Sequence, residues 1–219
     1  MSYLLKLYHD EFSADIESKP GLEAQHSIIY VWKGSAIIND KNFKADTATY
    51  IEDYAAIKAG SKGTVLWRWE LVPDTDPIHL LDREGINSAL RMSRRVKMFE
   101  LVPTSKWLFR LDCIIEFQGT TGLHSHPGSG IRCMLDGVLR AVSEKGECSD
   151  NVKPGDAWYE EGAYPLISTV DDGLKTTFLR GMVLPPEYTE YPDTAMWIEG
   201  VPAEKTGWKA YAQKVVTLR

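Results

Sequence analysis

Short apolar runs, separated by turn residues about every eight to twelve positions, dominate the chain. Runs of this length that are rich in β-branched and aromatic residues are typical of strands. The pattern therefore predicts an all-β protein built as a sandwich or a barrel. The clearest runs are HSIIYVWKG (26–34), TATYIED (47–53), TVLWRWELV (64–72), WLFRLDCIIEF (107–117) and TTFLRGMVL (176–184).

Helical periodicity is scarce, so few and short helices are expected. Two weak helix candidates lie near residues 77–90 and 203–211. Close to the C-terminus, WKAYAQKVV (208–216) alternates apolar and polar residues. Alternation of this kind favours a strand, which we expect either to cover a barrel or to pair with a partner chain.

The two halves of the chain repeat one pattern. Three blocks occur in the same order in both halves and differ in loop length, which predicts a duplicated unit. We expect a first unit over 1–76, a connection with the first strand of the second unit over 77–105, and a second unit over 106–219. The aligned blocks are 29–38 with 132–141, 44–57 with 153–167, and 66–73 with 178–185.

Composition narrows the function classes. The 219 residues are 43% hydrophobic and 26% charged, which indicates a folded chain. The formal net charge is −6 without a long basic run, so no nucleic-acid partner is expected. Cys113, Cys133 and Cys148 show no CxxC spacing, which favours reduced thiols and a cytoplasmic location. The first residues resemble neither a signal peptide nor a membrane span, so no membrane partner is expected.

Two histidines provide the clearest chemical signal, within GLHSHPGSGIRCMLDG (122–137). Strand alternation sends His124 and His126 to the same face. Two adjacent imidazoles on one face favour a metal site, although catalytic sites generally offer three protein ligands. The alternative is a pair of structural histidines, each satisfied by hydrogen bonds.

The surrounding motifs resemble the cupin superfamily (RmlC-like), whose first motif is roughly G-x5-H-x-H-x(3,4)-E-x6-G and whose second is P-x-G-x2-H-x3-N. The second half supplies HSHPGSGIRCMLDG for the first motif and KPGDAWYEEGAYPLIST for the second, while the first half keeps only degenerate remains. The resemblance implies a bicupin, with two double-stranded β-helix (jelly-roll) barrels in tandem and a degenerate first domain. Because this fold hosts dioxygenases, lyases, isomerases and non-catalytic proteins, it implies no single reaction.

This sequence departs from the family pattern at two ligand positions. The usual glutamate position falls at Gly130, and the usual second-motif histidine falls at Leu166. Glu160 is the best replacement, since it lies on a predicted strand where the aligned first-half residue is Ile51. It would complete a set of two histidines and one carboxylate. The alternative places Glu160 at an exposed strand end.

Arg132 lies two positions after Gly130, so alternation points it to the same interior. Three interpretations remain open: it binds an anionic substrate beside the metal, it pairs with Glu160 in a barrel without metal, or strand twist turns it to solvent. Trp158 and Tyr159 flank Glu160 and are candidates for contacting a substrate, although core packing is the ordinary role of such residues.

Three functions are therefore compared. A metalloenzyme would hold Fe, Mn, Ni or Zn on His124, His126 and Glu160 and act on a small organic anion oriented by Arg132. A binding protein would hold the anion without metal. A structural bicupin would keep the histidines as remnants. No organic cofactor is expected, and a homodimer is expected from the frequency of dimers among oligomers.

Overall fold

The computed structural model describes residues 2–96, 105–146, 148–191, 193–199 and 207–218. Antiparallel strands make up most of this chain, which confirms the all-β prediction. No helix in the described part is long and apolar enough to cross a membrane. Contacts divide the chain into two compact units, Met1–Arg95 and Val96–Arg219.

The first unit is one curled sheet whose strands follow the order β3-β2-β5-β1-β6, with β4 also paired to β2. Its apolar residues form a continuous buried cluster that includes Ile29, Val31 and Leu66, each 0% exposed. The strands are β1 (Tyr3–Phe12), β2 (Leu22–Ile38), β3 (Lys41–Lys44), β4 (Thr47–Ala55), β5 (Ile57–Pro73) and β6 (Ile86–Arg95).

The second unit repeats this plan with the order β11-β10-β13-β7-β15. The strands β8 and β9 both pair with β13, while β12 pairs with β9 and β14 with β8. A 3₁₀ helix spans Pro186–Glu190. The strands are β7 (Lys106–Thr120), β8 (Leu123–Ser125), β9 (Ser129–Asp136), β10 (Leu139–Ser143), β11 (Cys148–Val152), β12 (Ala157–Glu160), β13 (Leu166–Leu184), β14 (Met196–Glu199) and β15 (Gly207–Thr217).

Strand register relates the two units as the sequence blocks do. In the first unit Ile29 of β2 lies opposite Arg68 of β5. In the second unit Arg132 of β9 lies opposite Arg180 of β13. The alignment that places Ile29 on Arg132 and Arg68 on Arg180 is thus also a structural equivalence. This equivalence is the physical basis for comparing the two interiors residue by residue.

The structure differs from the sequence-based boundaries. The helix candidate near 77–90 is wrong, because Ile86–Arg95 is β6 and pairs with β1. The first unit therefore extends to Arg95, and not to residue 76, since β6 covers an edge that β1 would otherwise expose.

The helix candidate near 203–211 is also wrong in its described part, where Gly207–Thr217 forms β15. Residues 203–206 lie outside the described residues. Of the two roles expected for this segment, β15 takes the one within its own unit, because it pairs with β7 over Lys106–Ile115.

Candidate functional site

The second unit contains a cavity of about 530 Å³. Four predicted site residues line it together: His124, His126, Arg132 and Glu160. They come from the strands β8, β9 and β12 and from the turn after β8. The interior of this barrel thus brings together the two histidines, the arginine and the carboxylate that the sequence motifs singled out.

Both histidines present the same ring nitrogen to the cavity. His124 Nδ1 lies 2.9 Å from the Gly122 carbonyl, and His126 Nδ1 lies 3.0 Å from the Thr194 carbonyl. A carbonyl oxygen only accepts, so Nδ1 carries the hydrogen in each ring and Nε2 keeps the lone pair when the ring is neutral. Metal-ligating histidines are oriented by this kind of contact.

Burial keeps these rings neutral. Each histidine is only 6% exposed, and the ring centroids lie 5.1 Å apart. Burial, reinforced by the neighbouring His126, lowers the pKa of His124 to about 4. Burial also lowers the pKa of His126, against the opposing pull of Glu160. At neutral pH both rings are therefore uncharged, which is the form that binds a metal.

Glu160 lies inside the barrel, so the exposed alternative is wrong. Its side chain is 12% exposed, and its Oε2 lies 2.5 Å from Arg132 Nη2 and 3.3 Å from His126 Nε2. Its Oε1 accepts a hydrogen bond of 2.9 Å from Trp158 Nε1. Burial alone would raise the pKa of this carboxyl, but Arg132 and then His126 bring it below its usual range. Glu160 is consequently ionised.

Arg132 is fully buried, which excludes the solvent-facing interpretation. Its Nη1 donates to the Gly130 carbonyl at 2.7 Å, and its Nη2 pairs with Glu160. Its Nε has no hydrogen-bond partner among the described residues. The guanidinium thus combines an ion pair with an unsatisfied donor beside the cavity.

The donor set fits a metal in part. Ligands ~2.1 Å from one ion lie roughly 3.0–3.4 Å from each other, and His126 Nε2 and Glu160 Oε2 are 3.3 Å apart. The described residues nevertheless hold no group of three His, Cys, Asp or Glu side chains already arranged around one point. Glu160 lies closer to Arg132 than to His126. Metal binding would therefore require Glu160 to loosen its pairing with Arg132.

Gly130 and Leu166 occupy the two positions at which cupin motifs usually carry a metal ligand. Gly130 lies directly across from Glu160 in the β9–β12 pairing, so the carboxylate stands on the neighbouring strand at the same level. A Cβ at Gly130 would lie 2.8 Å from the Gly181 carbonyl oxygen, which leaves no room for a side chain there. Leu166 is 4% exposed and lies opposite His124.

Sequence reasoning missed three charged residues of this interior. Arg180, which lines the cavity, donates to both carboxylate oxygens of buried Asp112, at 2.8 and 2.9 Å. Glu116 accepts a hydrogen bond of 3.1 Å from the Ser168 hydroxyl. Burial, with a smaller contribution from Glu160, raises the pKa of Glu116 to about 7. Alternation along β7, which places Asp112 and Glu116 on one face, was the available signal.

Trp158 and Tyr159 are not among the residues that line the cavity. Trp158 is 3% exposed and packs on Phe178 with ring centroids 5.2 Å apart. Its indole Nε1 donates a hydrogen bond to Glu160 Oε1. Tyr159 lies on the opposite face of β12, against a small neighbouring pocket of about 30 Å³. Their expected contacts with a substrate stay a prediction that this geometry does not support.

Comparisons with known proteins establish the fold. No protein-family model and no curated protein sequence matches the chain. It is similar to the structure of Lactobacillus farciminis oxalate decarboxylase in a formate complex, with 12% identity, a TM-score of 0.58, and coverage of 88% of this chain and 79% of that one. It is also similar to a Bacillus subtilis oxalate decarboxylase structure studied for its Mn(II) centres, with 11% identity, a TM-score of 0.56, and coverage of 88% and 71%. The chain has the bicupin fold that the sequence motifs implied.

Proposed function

We propose that the second unit binds a divalent metal ion on His124, His126 and Glu160, and that the adjoining cavity binds a small organic anion. One observation carries the proposal. His126 Nε2 faces Glu160 Oε2 at 3.3 Å, while the hydrogen of this ring is already donated from Nδ1 to the Thr194 carbonyl. Two lone pairs without a proton between them repel each other, and a cation bound to both replaces that repulsion with attraction.

The ligand chemistry agrees with a first-row metal. Two imidazoles and a carboxylate with open positions suit Fe(II), and the same donors accept Mn, Ni or Zn. The Bacillus subtilis oxalate decarboxylase structure named above was studied for its Mn(II) centres, which supports a divalent ion in this fold. When bound, the ion would act as a Lewis acid on an oxygen of the substrate.

Arg132 has a defined role in this proposal. When Glu160 turns toward an ion, the buried guanidinium loses its carboxylate partner and exposes donors to the cavity. Leaving this buried guanidinium without a partner costs several kcal/mol. An anion that takes the place of the Glu160 carboxylate is therefore favoured. A carboxylate binds such a guanidinium with two parallel hydrogen bonds. Metal and organic anion are therefore expected to bind cooperatively.

A second candidate is a binding protein without metal. The observation that favours it is the 2.5 Å contact between Glu160 Oε2 and Arg132 Nη2, which already neutralises the carboxylate. In this case an organic anion would bind the unsatisfied Nε of Arg132 and the side chains around it, with the histidines as hydrogen-bonding groups.

Elemental analysis tests the metal directly. Untagged protein purified without chelator, and samples soaked with Fe(II), Mn, Ni or Zn, should carry about one ion per chain. The His124→Ala/His126→Ala variant should lose it. The control His9→Ala, which removes a histidine paired to exposed Glu11 in the first unit, should keep it. Metal absent from the soaked wild-type protein would contradict the proposal, and thermal stabilisation by organic acids in chelator would then support the second candidate.

A further inference from the structure

The cavity has an apolar wall in addition to its ionisable groups. Ile114, Leu139 and Phe178 line the cavity and belong to one hydrophobic cluster of the second unit. Trp197 and Trp208 also line it and remain 38% and 42% exposed. Exposed tryptophans that are continuous with a buried apolar wall are unfavourable in water and favourable against an apolar ligand.

The groups proposed to bind the metal and the anion come from other strands than this wall. His124, Arg132 and Glu160 stand on β8, β9 and β12, whereas the apolar wall comes from β7, β10 and β13, which also carry the cavity residues Glu116 and Arg180. The Trp197 ring lies 4.8 Å from the His124 ring, so apolar surface begins directly beside the histidines. An occupant bound to Arg132 would therefore have apolar side chains along its body, with Glu116 two residues beyond Ile114 on the same strand.

Volume excludes a good fit for very small anions. The cavity measures about 530 Å³, which is within the range of roughly 300–1,000 Å³ typical of organic ligand sites. A two-carbon anion would leave most of the apolar wall against water. A second carboxylate on a longer ligand would face Ile114, Leu139 and Phe178, which offer it no partner, or Glu116, which repels it when ionised. Arg180 also lines the cavity, but it is already bonded twice to Asp112.

We propose that the occupant of this cavity is an organic monocarboxylate with an apolar body, its carboxylate at the Arg132 end and its hydrocarbon against Ile114, Leu139 and Phe178. This inference rests on the proposed function, in either its metal-bound or its metal-free form, because both place an organic anion beside Arg132. It adds the chemical class: an aliphatic or aromatic monoacid, as opposed to a short dicarboxylate.

A homologous ligand series tests the class on the full chain. Dissociation constants are measured calorimetrically for acetate, butyrate, hexanoate and octanoate, and for oxalate and succinate, with Mn(II) and with chelator. Each methylene buried against the wall should tighten binding about fourfold, the equivalent of ~0.8 kcal/mol. Hexanoate should bind at least tenfold more tightly than succinate.

Variants of Phe178 test whether the chain-length dependence of acid binding arises at the apolar wall. Phe178→Ala should reduce the gain in affinity per methylene and leave acetate binding unchanged, and Phe178→Leu, which keeps an apolar side chain, should reduce that gain less. The control Phe117→Ala, which alters a 43% exposed phenylalanine of β7, should preserve the full dependence. Phe178→Leu keeps most of the buried volume, so the comparison survives if the alanine variant fails to fold.

The outcomes separate this inference from the proposed function. Acetate binding without dependence on chain length, or oxalate binding more tightly than hexanoate, would overturn the monocarboxylate assignment alone. Failure of every acid to bind at millimolar concentration, with and without metal, would overturn the anion site itself. A length dependence that Phe178→Ala reduces, or that Phe178→Leu reduces to a smaller extent, supports both.

Discussion

At the residue scale, two cavity carboxyls have opposite pKa shifts because their nearest neighbours differ. Glu160 lies 2.5 Å from the Arg132 guanidinium, and this contact holds its pKa below the usual range despite burial. Among the described residues, Glu116 accepts a hydrogen bond from the neutral Ser168 hydroxyl and has no ion pair, so burial dominates and raises its pKa to about 7. One cavity wall thus carries a permanent charge and another carries a group that titrates near neutral pH.

The raised pKa of Glu116 predicts a pH dependence of stability. The folded protein holds this proton more tightly than the unfolded chain, whose value is near 4.5. The associated stabilisation is complete below pH 4.5 and is lost as the pH rises through about 7. Glu116→Gln, which cannot ionise, should therefore become more stable than wild type above pH 7, by on the order of 3 kcal/mol.

Urea denaturation of both proteins between pH 4 and pH 9 measures this difference. The control Glu187→Gln removes an exposed carboxyl of the 3₁₀ helix and should leave the profile parallel to wild type. If the Glu116→Gln profile is also parallel to wild type, burial does not shift the pKa of Glu116.

At the element scale, the pairing of β9 with β12 and β13 explains where the site carboxylate stands. The Gly181 carbonyl of β13 lies so close to Gly130 of β9 that no side chain fits at Gly130. Glu160 of β12, directly across from Gly130, reaches the same interior from a strand with room for it. The carboxylate position is therefore decided by the packing of three strands against one another.

Gly130→Ala should be destabilising although alanine is tolerated in strands. The new Cβ would lie 2.8 Å from the Gly181 carbonyl oxygen and 2.9 Å from Arg132 Nη1, so β9 and β13 would have to separate. Overpacking of this kind costs about 1–3 kcal/mol. Equilibrium urea unfolding measures the loss, and an unchanged midpoint would show that the two strands separate at no cost.

At the scale of the whole molecule, the two similar units fill two equivalent interior positions with different chemistry. Arg132 and Glu160 are equivalent to Ile29 and Ile51 of the first unit, where Ile51 packs against the cluster that contains Ile29. The barrel itself therefore needs no charge at these two positions. The ion pair of the second unit is an addition to the shared architecture, as expected of a functional group.

A double-mutant cycle tests this reading in metal-free buffer. Glu160→Ile alone strands the buried Arg132 charge, and Arg132→Ile alone strands Glu160, so each should destabilise by about 3–5 kcal/mol. Arg132→Ile with Glu160→Ile should recover most of that loss, apart from the cost of the Trp158 Nε1 donor that loses its acceptor. Additive losses in the double variant, measured by urea unfolding, would show that the first unit is not a valid template for the second.

The sequence by itself determined the features that depend on local periodicity. Alternation placed the strands, block order revealed the repeated unit, and the spacing of His124 and His126 put both rings on one face. The interior charges Asp112 and Glu116 also followed the alternation of β7, although their significance depended on what surrounds them.

Tertiary structure decided what depends on distant partners. The strand at Ile86–Arg95 belongs to the first unit because it pairs with β1, whose residues lie about 80 positions earlier. The solvent-facing interpretation of Arg132 was excluded only when the tertiary structure buried this residue and brought Glu160 within 2.5 Å of it. Side-chain direction is a local property with a period of two residues, whereas pairing, register and the resulting charge state depend on which strands meet.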